Sequence, residues 1–161
     1  MRPHPAALLL LTLLACNQSE KPKAATPPPP TPATVPRAAF SHISYLQGRW
    51  RGVDASGKAF FESYIALDDT TMRSFTFSDS TFAAPSESGR IRWASGQVRI
   101  DGGELRWVAT LWTADSVRFE PEVGASNSFT WTRRSPDAWL ARLEPRGAPG
   151  PVTYEMSRLP E

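Results

Sequence analysis

Glu62 is the ionisable residue of this sequence best placed to do chemistry. It stands between Phe60 and Tyr64, and side chains two residues apart on a β-strand point to the same face. If the two aromatic residues face the inside of a barrel, the carboxyl group does so too. A carboxyl group in an aromatic pocket has a raised pKa, and it can act as a general acid or base or bind the polar head of a ligand. An outward register, or an ion pair with an arginine of a neighbouring strand, is the alternative interpretation. The residues of the predicted ligand pocket are Phe60, Glu62, Tyr64 and Trp107.

No other pattern in the sequence matches a known catalytic or metal-binding arrangement. His42 is the only histidine from residue 37 onward, and no cysteine or second histidine lies near it. Zinc and iron–sulfur sites therefore lack ligands, and haem ligation by His42 is disfavoured. The sequence has no Gly-x-Ser-x-Gly elbow and no glycine-rich phosphate loop. We expect no catalytic residues, no cofactor and no metal, and keep an enzyme that uses Glu62 as general acid or base as an alternative.

Cys16 is the only cysteine of the 161 residues, and it follows directly on an N-terminal apolar segment. Arg2 provides a positive start, residues 6–14 an apolar core, and Ala15 a small residue at the expected cut. The core is shorter than the roughly 20 residues that span a bilayer as a helix. These features predict a signal peptide over residues 1–15. A plain secretory signal that leaves an unpaired cysteine is the alternative.

The run Leu13-Leu14-Ala15-Cys16 resembles the lipobox of bacterial lipoproteins. The resemblance implies that the signal peptide is removed and that Cys16 becomes the acylated first residue, so the membrane is a partner through this anchor. Asn17 follows the cysteine, where an aspartate would imply retention at the inner membrane. The resemblance therefore implies a location in the bacterial envelope, on the periplasmic face of the outer membrane.

Residues 16–36 are predicted to be the lipidated cysteine and a disordered tether. Seven prolines lie between residues 17 and 36, and proline fixes φ and removes a hydrogen-bond donor, which favours extended polyproline II.

Residues 37–161 carry 15 lysines and arginines against 15 aspartates and glutamates. Because this part is neutral, it offers no concentrated basic face for nucleic acid. We expect a monomer.

Residues 37–161 show repeated alternation of apolar and polar side chains, which is typical of antiparallel sheet with one buried face. Examples are Ile91 and Trp93, Val98 and Ile100, Phe129 and Trp131, and Val152, Tyr154 and Met156. Turn sequences separate about ten short strands, and a short helix over residues 38–47, with Ser41 as its N-cap, precedes them. The pattern predicts an all-β domain: an antiparallel up-and-down barrel of about ten strands. A two-sheet sandwich is the alternative.

The first predicted strand begins with Gly48-Arg49-Trp50, a Gly-x-Trp placed just after the short helix. This resembles the start of calycin-type barrels, the lipocalins among them. The resemblance implies that Trp50 plugs the closed end of the barrel and that Arg158, from the last strand, lies across its indole. The residues of this barrel closure are Gly48, Trp50 and Arg158.

A wider resemblance covers residues 46–159, which are similar to small lipocalin-like domains of unknown function from bacterial exported proteins. The motifs that carry it include Leu46-x-Gly48-x-Trp50, Glu62-x-Tyr64 and Tyr154-x-Met156-x-Arg158. The resemblance to that group implies no particular activity for this chain. We therefore expect a non-enzymatic envelope lipoprotein whose barrel binds a small apolar ligand. The alternative is a structural or protein-interaction module whose barrel is filled by its own side chains, and a cavity of about 300 Å³ or more would distinguish the two.

Overall fold

The computed structural model describes residues 28–54, 56–147 and 150–160. Cys16, the signal peptide and most of the predicted tether lie outside these residues, so the lipid anchor stays a prediction. None of the helices in the described part is long and apolar enough to cross a membrane.

Ten antiparallel strands form a closed barrel, in which each strand pairs with its neighbours in sequence and β1 pairs with β10. A 3₁₀ helix, Arg37–Leu46, precedes them. The strands are β1 Gly48–Val53, β2 Ala59–Ala66, β3 Thr71–Phe77, β4 Glu87–Ala94, β5 Gln97–Gly102, β6 Leu105–Trp112, β7 Ser116–Val123, β8 Asn127–Ser135, β9 Ala138–Pro145 and β10 Val152–Arg158. The predicted up-and-down barrel is thereby confirmed, and the sandwich alternative is wrong.

The barrel forms because the alternation of apolar and polar side chains and the positions of the turn residues both favour antiparallel strands joined by short turns. In β7, Val117 and Phe119 are buried while Arg118 between them reaches the outer face. The turn between β4 and β5 consists of Ser95 and Gly96, both at positive φ (51° and 79°), as a two-residue hairpin of the right twist requires. Pairing β1 with β10 leaves no exposed sheet edge.

The 3₁₀ helix and the residues just before it cover one end of the barrel, which we call the closed end. Three tryptophans of β1, β4 and β6 donate their indole N–H groups to carbonyl oxygens of this segment. The bonds run from Trp50 to Leu46 (2.6 Å), from Trp93 to Val35 (2.7 Å) and from Trp112 to Ala39 (2.8 Å). Because β1 starts here, the connections β1–β2, β3–β4, β5–β6, β7–β8 and β9–β10 lie at the opposite, open end.

Ser41 does not cap the helix as predicted. The helix starts earlier, with Pro36 at the N-cap position and no side-chain cap, and the Ser41 hydroxyl donates to the carbonyl of Ala38 within the helix (2.8 Å). Packing of its apolar face against the barrel replaces the cap, since Phe40 and Ile43 are almost fully buried.

The packed part of the chain also begins earlier than the predicted domain start at residue 37. Val35 is 1% exposed. The main-chain N–H of Ala33 donates to the carbonyl of Ala109, and that of Val35 to the carbonyl of Gly96, both at 2.8 Å. The prediction extended the tether to Pro36 because of its proline content and its lack of apolar periodicity, but the prolines leave enough N–H groups for this short segment to dock on the barrel.

Candidate functional site

A cavity opens at the open end of the barrel and reaches into its interior. Its main lobe has a volume of about 570 Å³, and an adjoining lobe of about 210 Å³ extends towards β3–β5. Both lobes are lined by Glu62, Tyr64, Trp107, Phe129 and Trp131. The structure brings all four residues of the predicted ligand pocket into the main lobe, since Phe60 lines it too.

Small residues at two inward positions determine where the neighbouring side chains lie. Gly52 pairs with Phe60 across β1 and β2. A Cβ atom at Gly52 would collide with the Phe60 ring and lie 2.7 Å from the sulfur of Met156. Glycine therefore lets the Phe60 ring lie directly against β1. Ala141 lines the cavity from β9, where a larger side chain would project into the space.

Aromatic rings make up much of the cavity wall. Phe60 meets Tyr154 edge to face, with ring centroids 5.4 Å apart, and Trp107 meets Phe129 at 5.7 Å. The indole N–H of Trp107 donates to the carbonyl of Asn127 (2.9 Å), which holds this ring at the open end. Sequence reasoning placed Phe129 and Tyr154 only on apolar faces, because the alternation of a cavity wall is the same as that of a filled core.

Glu62 faces the cavity and accepts one side-chain hydrogen bond, from the hydroxyl of Tyr64 to Oε2 (2.7 Å). Burial raises the pKa of the Glu62 carboxyl group, and the Tyr64 hydrogen bond partly opposes this. Burial, together with the neighbouring carboxylate, also raises the pKa of Tyr64 well above its ordinary value. The phenol is therefore a permanent donor at neutral pH, and the carboxyl group is the member of the pair that titrates.

The predicted alternative for Glu62, an ion pair with an arginine, does not occur among the described residues. Ion pairs of the strand arginines instead form on the outer face of the barrel. Arg118 contacts Glu120 and Glu144, each at 2.7 Å, and Arg99 contacts Glu122 at 2.9 Å. Glu62 takes part in none of these ion pairs.

Arg158 lies at the closed end, across the indole of Trp50. The guanidinium carbon is 4.3 Å from the ring centroid. Its nitrogens also donate to the carbonyls of Tyr45 (2.9 Å), Gln47 (2.7 Å) and Pro136 (3.0 Å). One side chain thus joins the end of the helix, the turn between β8 and β9, and Trp50. Gly48, the third predicted closure residue, follows Gln47 at a φ of +110°.

His42 lies in the 3₁₀ helix and does not line the cavity. Within residues 28–54, 56–147 and 150–160, no group of three or more histidine, cysteine, aspartate or glutamate side chains is arranged to hold a metal ion.

The described residues also form concave regions outside the barrel, of which two are large. One, of about 620 Å³, borders the helix and the β2–β3 turn. The other, of about 830 Å³, lies over the outer face of β1–β3, where Phe82 packs against Phe61 and Phe77. Neither contains an inward carboxyl group among aromatic rings, so the barrel cavity is the better candidate site.

Comparison with known proteins gives no family. No family model matches the sequence, and no curated protein matches it. Among solved structures, the chain is similar to a redesigned beta barrel, b11L5F_LGL, at 14% identity and a TM-score of 0.40, over 80% of this chain and 99% of that one. It is also similar to EF1p2_mFAP2b bound to DFHBI, at 13% identity and a TM-score of 0.38, over 75% of this chain and 99% of that one.

Proposed function

We propose that this protein is a lipid-anchored protein of the bacterial envelope whose barrel, of calycin type, binds a small apolar ligand without converting it. The main support is the cavity of about 570 Å³, which falls in the range of about 300–1,000 Å³ typical of ligand pockets. Its wall of aromatic rings with few polar groups is the composition that such pockets have. A barrel filled by its own side chains would not need an opening of this size.

Ala141→Phe is expected to weaken strongly the binding of a neutral apolar dye, such as N-phenyl-naphthylamine, in the cavity. Ala141 lies on β9 opposite Tyr154 and lines the main lobe, so an added phenyl ring would occupy the space that the dye needs. The measurement is a fluorescence titration of the dye with the wild-type and variant proteins, from which we expect at least about a tenfold loss of affinity.

Thr153→Phe is the matched control for this experiment. Thr153 is exposed on the outer face of β10, one residue before Tyr154, so the same ring is added outside the barrel. Dye binding should persist in this variant. If both variants bind the dye like the wild type, or if the wild type does not bind it, the proposed ligand-binding function is wrong.

Cys16→Ser is expected to remove the protein from the membrane fraction. Only a cysteine thiol at this position can carry the lipid of the predicted anchor, and acyl chains contribute about 0.8 kcal/mol per buried methylene to membrane binding. Detergent phase partitioning and mass spectrometry of the mature N-terminus measure the effect. A variant that is cut at the same place and stays membrane-bound would contradict the lipoprotein assignment and leave the cavity proposal untouched.

A further inference from the structure

The charged groups that line the cavity are all acidic in the described part of the chain. Glu62 lines both lobes and Asp54 lies at the mouth of the main lobe. No lysine, arginine or histidine contributes to either lining among the described residues, although the chain has 18 lysines and arginines. Among the described residues, the charged side chains at the cavity are therefore carboxylates alone.

Glu62 has no cationic partner within the described residues. Tyr64 donates to Oε2, and no side-chain donor of the described part reaches Oε1. The nearest candidate by register is Arg158, since Glu62 and Arg158 both pair with Trp50 in β1. Its nitrogens, however, are already bonded to three main-chain carbonyls at the closed end. Glu62 can thus accept a further hydrogen bond from a group inside the cavity.

The surroundings of Glu62 suit a cation with an apolar body. Rings of Phe60, Tyr154, Trp107 and Trp131 line the same lobe, and aromatic faces attract organic cations through the negative charge of their π systems. A carboxylate beside such rings adds a charge-assisted hydrogen bond to any N–H that the cation carries. An anionic ligand would instead be repelled by Glu62 and would find no cation in this lining.

We propose that the ligand of the cavity is a small apolar amine, whose protonated nitrogen pairs with Glu62 while its hydrocarbon or aryl part occupies the aromatic lobe. This inference rests on the proposed function, because it names the class of ligand for the same cavity. The raised pKa of Glu62 agrees with a carboxyl group that lacks a positive partner until the ligand supplies one.

Three naphthyl compounds with one shared ring system test the proposal: naphthylethylamine, naphthylethanol and naphthylacetate. Isothermal titration calorimetry measures each against the full-length protein in its purification detergent. The Ala141→Phe variant serves as the blank for uptake outside the cavity. We expect the amine to bind at least about tenfold more tightly than the alcohol, and the carboxylate more weakly than the alcohol, because a hydrogen bond between charged groups is worth about one order of magnitude or more in affinity.

Glu62→Gln is expected to remove the preference for the amine over the alcohol. Glu155→Gln is the matched control, because the same change is made at an exposed glutamate on the outer face of β10, and it should keep the full preference. Circular dichroism and thermal melts establish that both variants are folded. A preference that persists in Glu62→Gln would overturn the assignment of the amine to this carboxylate.

The pH dependence of the preference for the amine over the alcohol gives a second test. The ammonium group stays charged below about pH 9, so the preference for the amine should disappear as the pH falls and Glu62 becomes protonated. Besides Glu62, three titratable groups line the main lobe in the described part of the chain: Asp54, Tyr64 and Tyr154. Tyr64 stays neutral in this range, and the pKa of Asp54 at the mouth is lowered by hydrogen bonds from Ser56 and Lys58. The loss should therefore follow Glu62 and should be absent from the alcohol titration.

The outcomes separate the two proposals. If the neutral dye and the alcohol bind in the cavity but the amine binds no better than the alcohol, the amine proposal is wrong and the ligand-binding function stands. If neither the dye nor any naphthyl compound binds better than to the Ala141→Phe blank, both proposals are wrong.

Discussion

Trp50→Ala is expected to lower the free energy of unfolding by about 3–5 kcal/mol, as truncations of buried aromatic side chains do. Trp50 is fully buried. Its ring meets Trp139 edge to face at 5.9 Å, and its indole N–H donates to the carbonyl of Leu46. The variant leaves a large void at the closed end and removes one of the three indole hydrogen bonds to the helix and the residues before it. Urea unfolding, followed by tryptophan fluorescence and circular dichroism, measures the change.

Arg158 provides the internal control for this prediction. Arg158→Ala should cost less than Trp50→Ala, because the side chain is partly exposed and water can reach some of the carbonyls it leaves. Arg158→Lys should not restore stability fully, since lysine lacks the planar group that stacks on indole. The double variant should be less destabilised than the sum of the single ones, because the two residues share a contact. Strict additivity, or a change below about 1 kcal/mol for Trp50→Ala, would contradict the closure role of this pair.

Gly48→Ala is expected to cost about 2–4 kcal/mol, the second largest effect. Gly48 has a φ of +110°, which side chains adopt only with strain of about 1–3 kcal/mol. An added Cβ would also lie 2.7 Å from Nη1 of Arg158 and would push the guanidinium away from the carbonyl of Gln47. Urea unfolding of the variant gives the total of the two costs.

Gly96→Ala is the control that separates the cost of backbone strain from the cost of a collision between the added Cβ and Arg158. Gly96 also has a positive φ, of 79°, but a Cβ there would have no atom within 4 Å. It should therefore cost only about 1–2 kcal/mol. In the Arg158→Ala background the cost of Gly48→Ala should fall towards the cost of strain alone. Equal costs for Gly48→Ala and Gly96→Ala in the wild-type background would show that the guanidinium does not constrain Gly48.

The barrel itself was predictable from the sequence, because side-chain alternation and turn residues are local signals. Ile91 and Trp93, for example, alternate with arginines at a period of two, and Ser95-Gly96 then turns the chain. The segment around Val35 was not predictable in the same way. Its docking depends on the carbonyl groups of Gly96 and Ala109, which accept from the N–H groups of Val35 and Ala33 and are far away in the sequence.

The candidate site was predictable in part. Alternation placed Glu62, Phe60 and Tyr64 on one face, and the structure has them lining one cavity. The sequence did not distinguish a cavity wall from a filled core, since Trp131 would show the same alternation in either. That distinction depends on how the inward residues fit together in three dimensions, including the small ones such as Ala141.

The docked segment before the helix also determines the end of the barrel at which the N-terminal part of the chain is attached. The chain reaches the barrel at the closed end, where Ala33 and Val35 bond to β6 and to the β4–β5 turn. The N-terminal residues therefore meet the barrel at one end, and the mouth of the cavity is at the other. If the protein is tethered through Cys16 and the cavity takes up a ligand, as proposed, then the anchor and the ligand mouth are at opposite ends of the barrel.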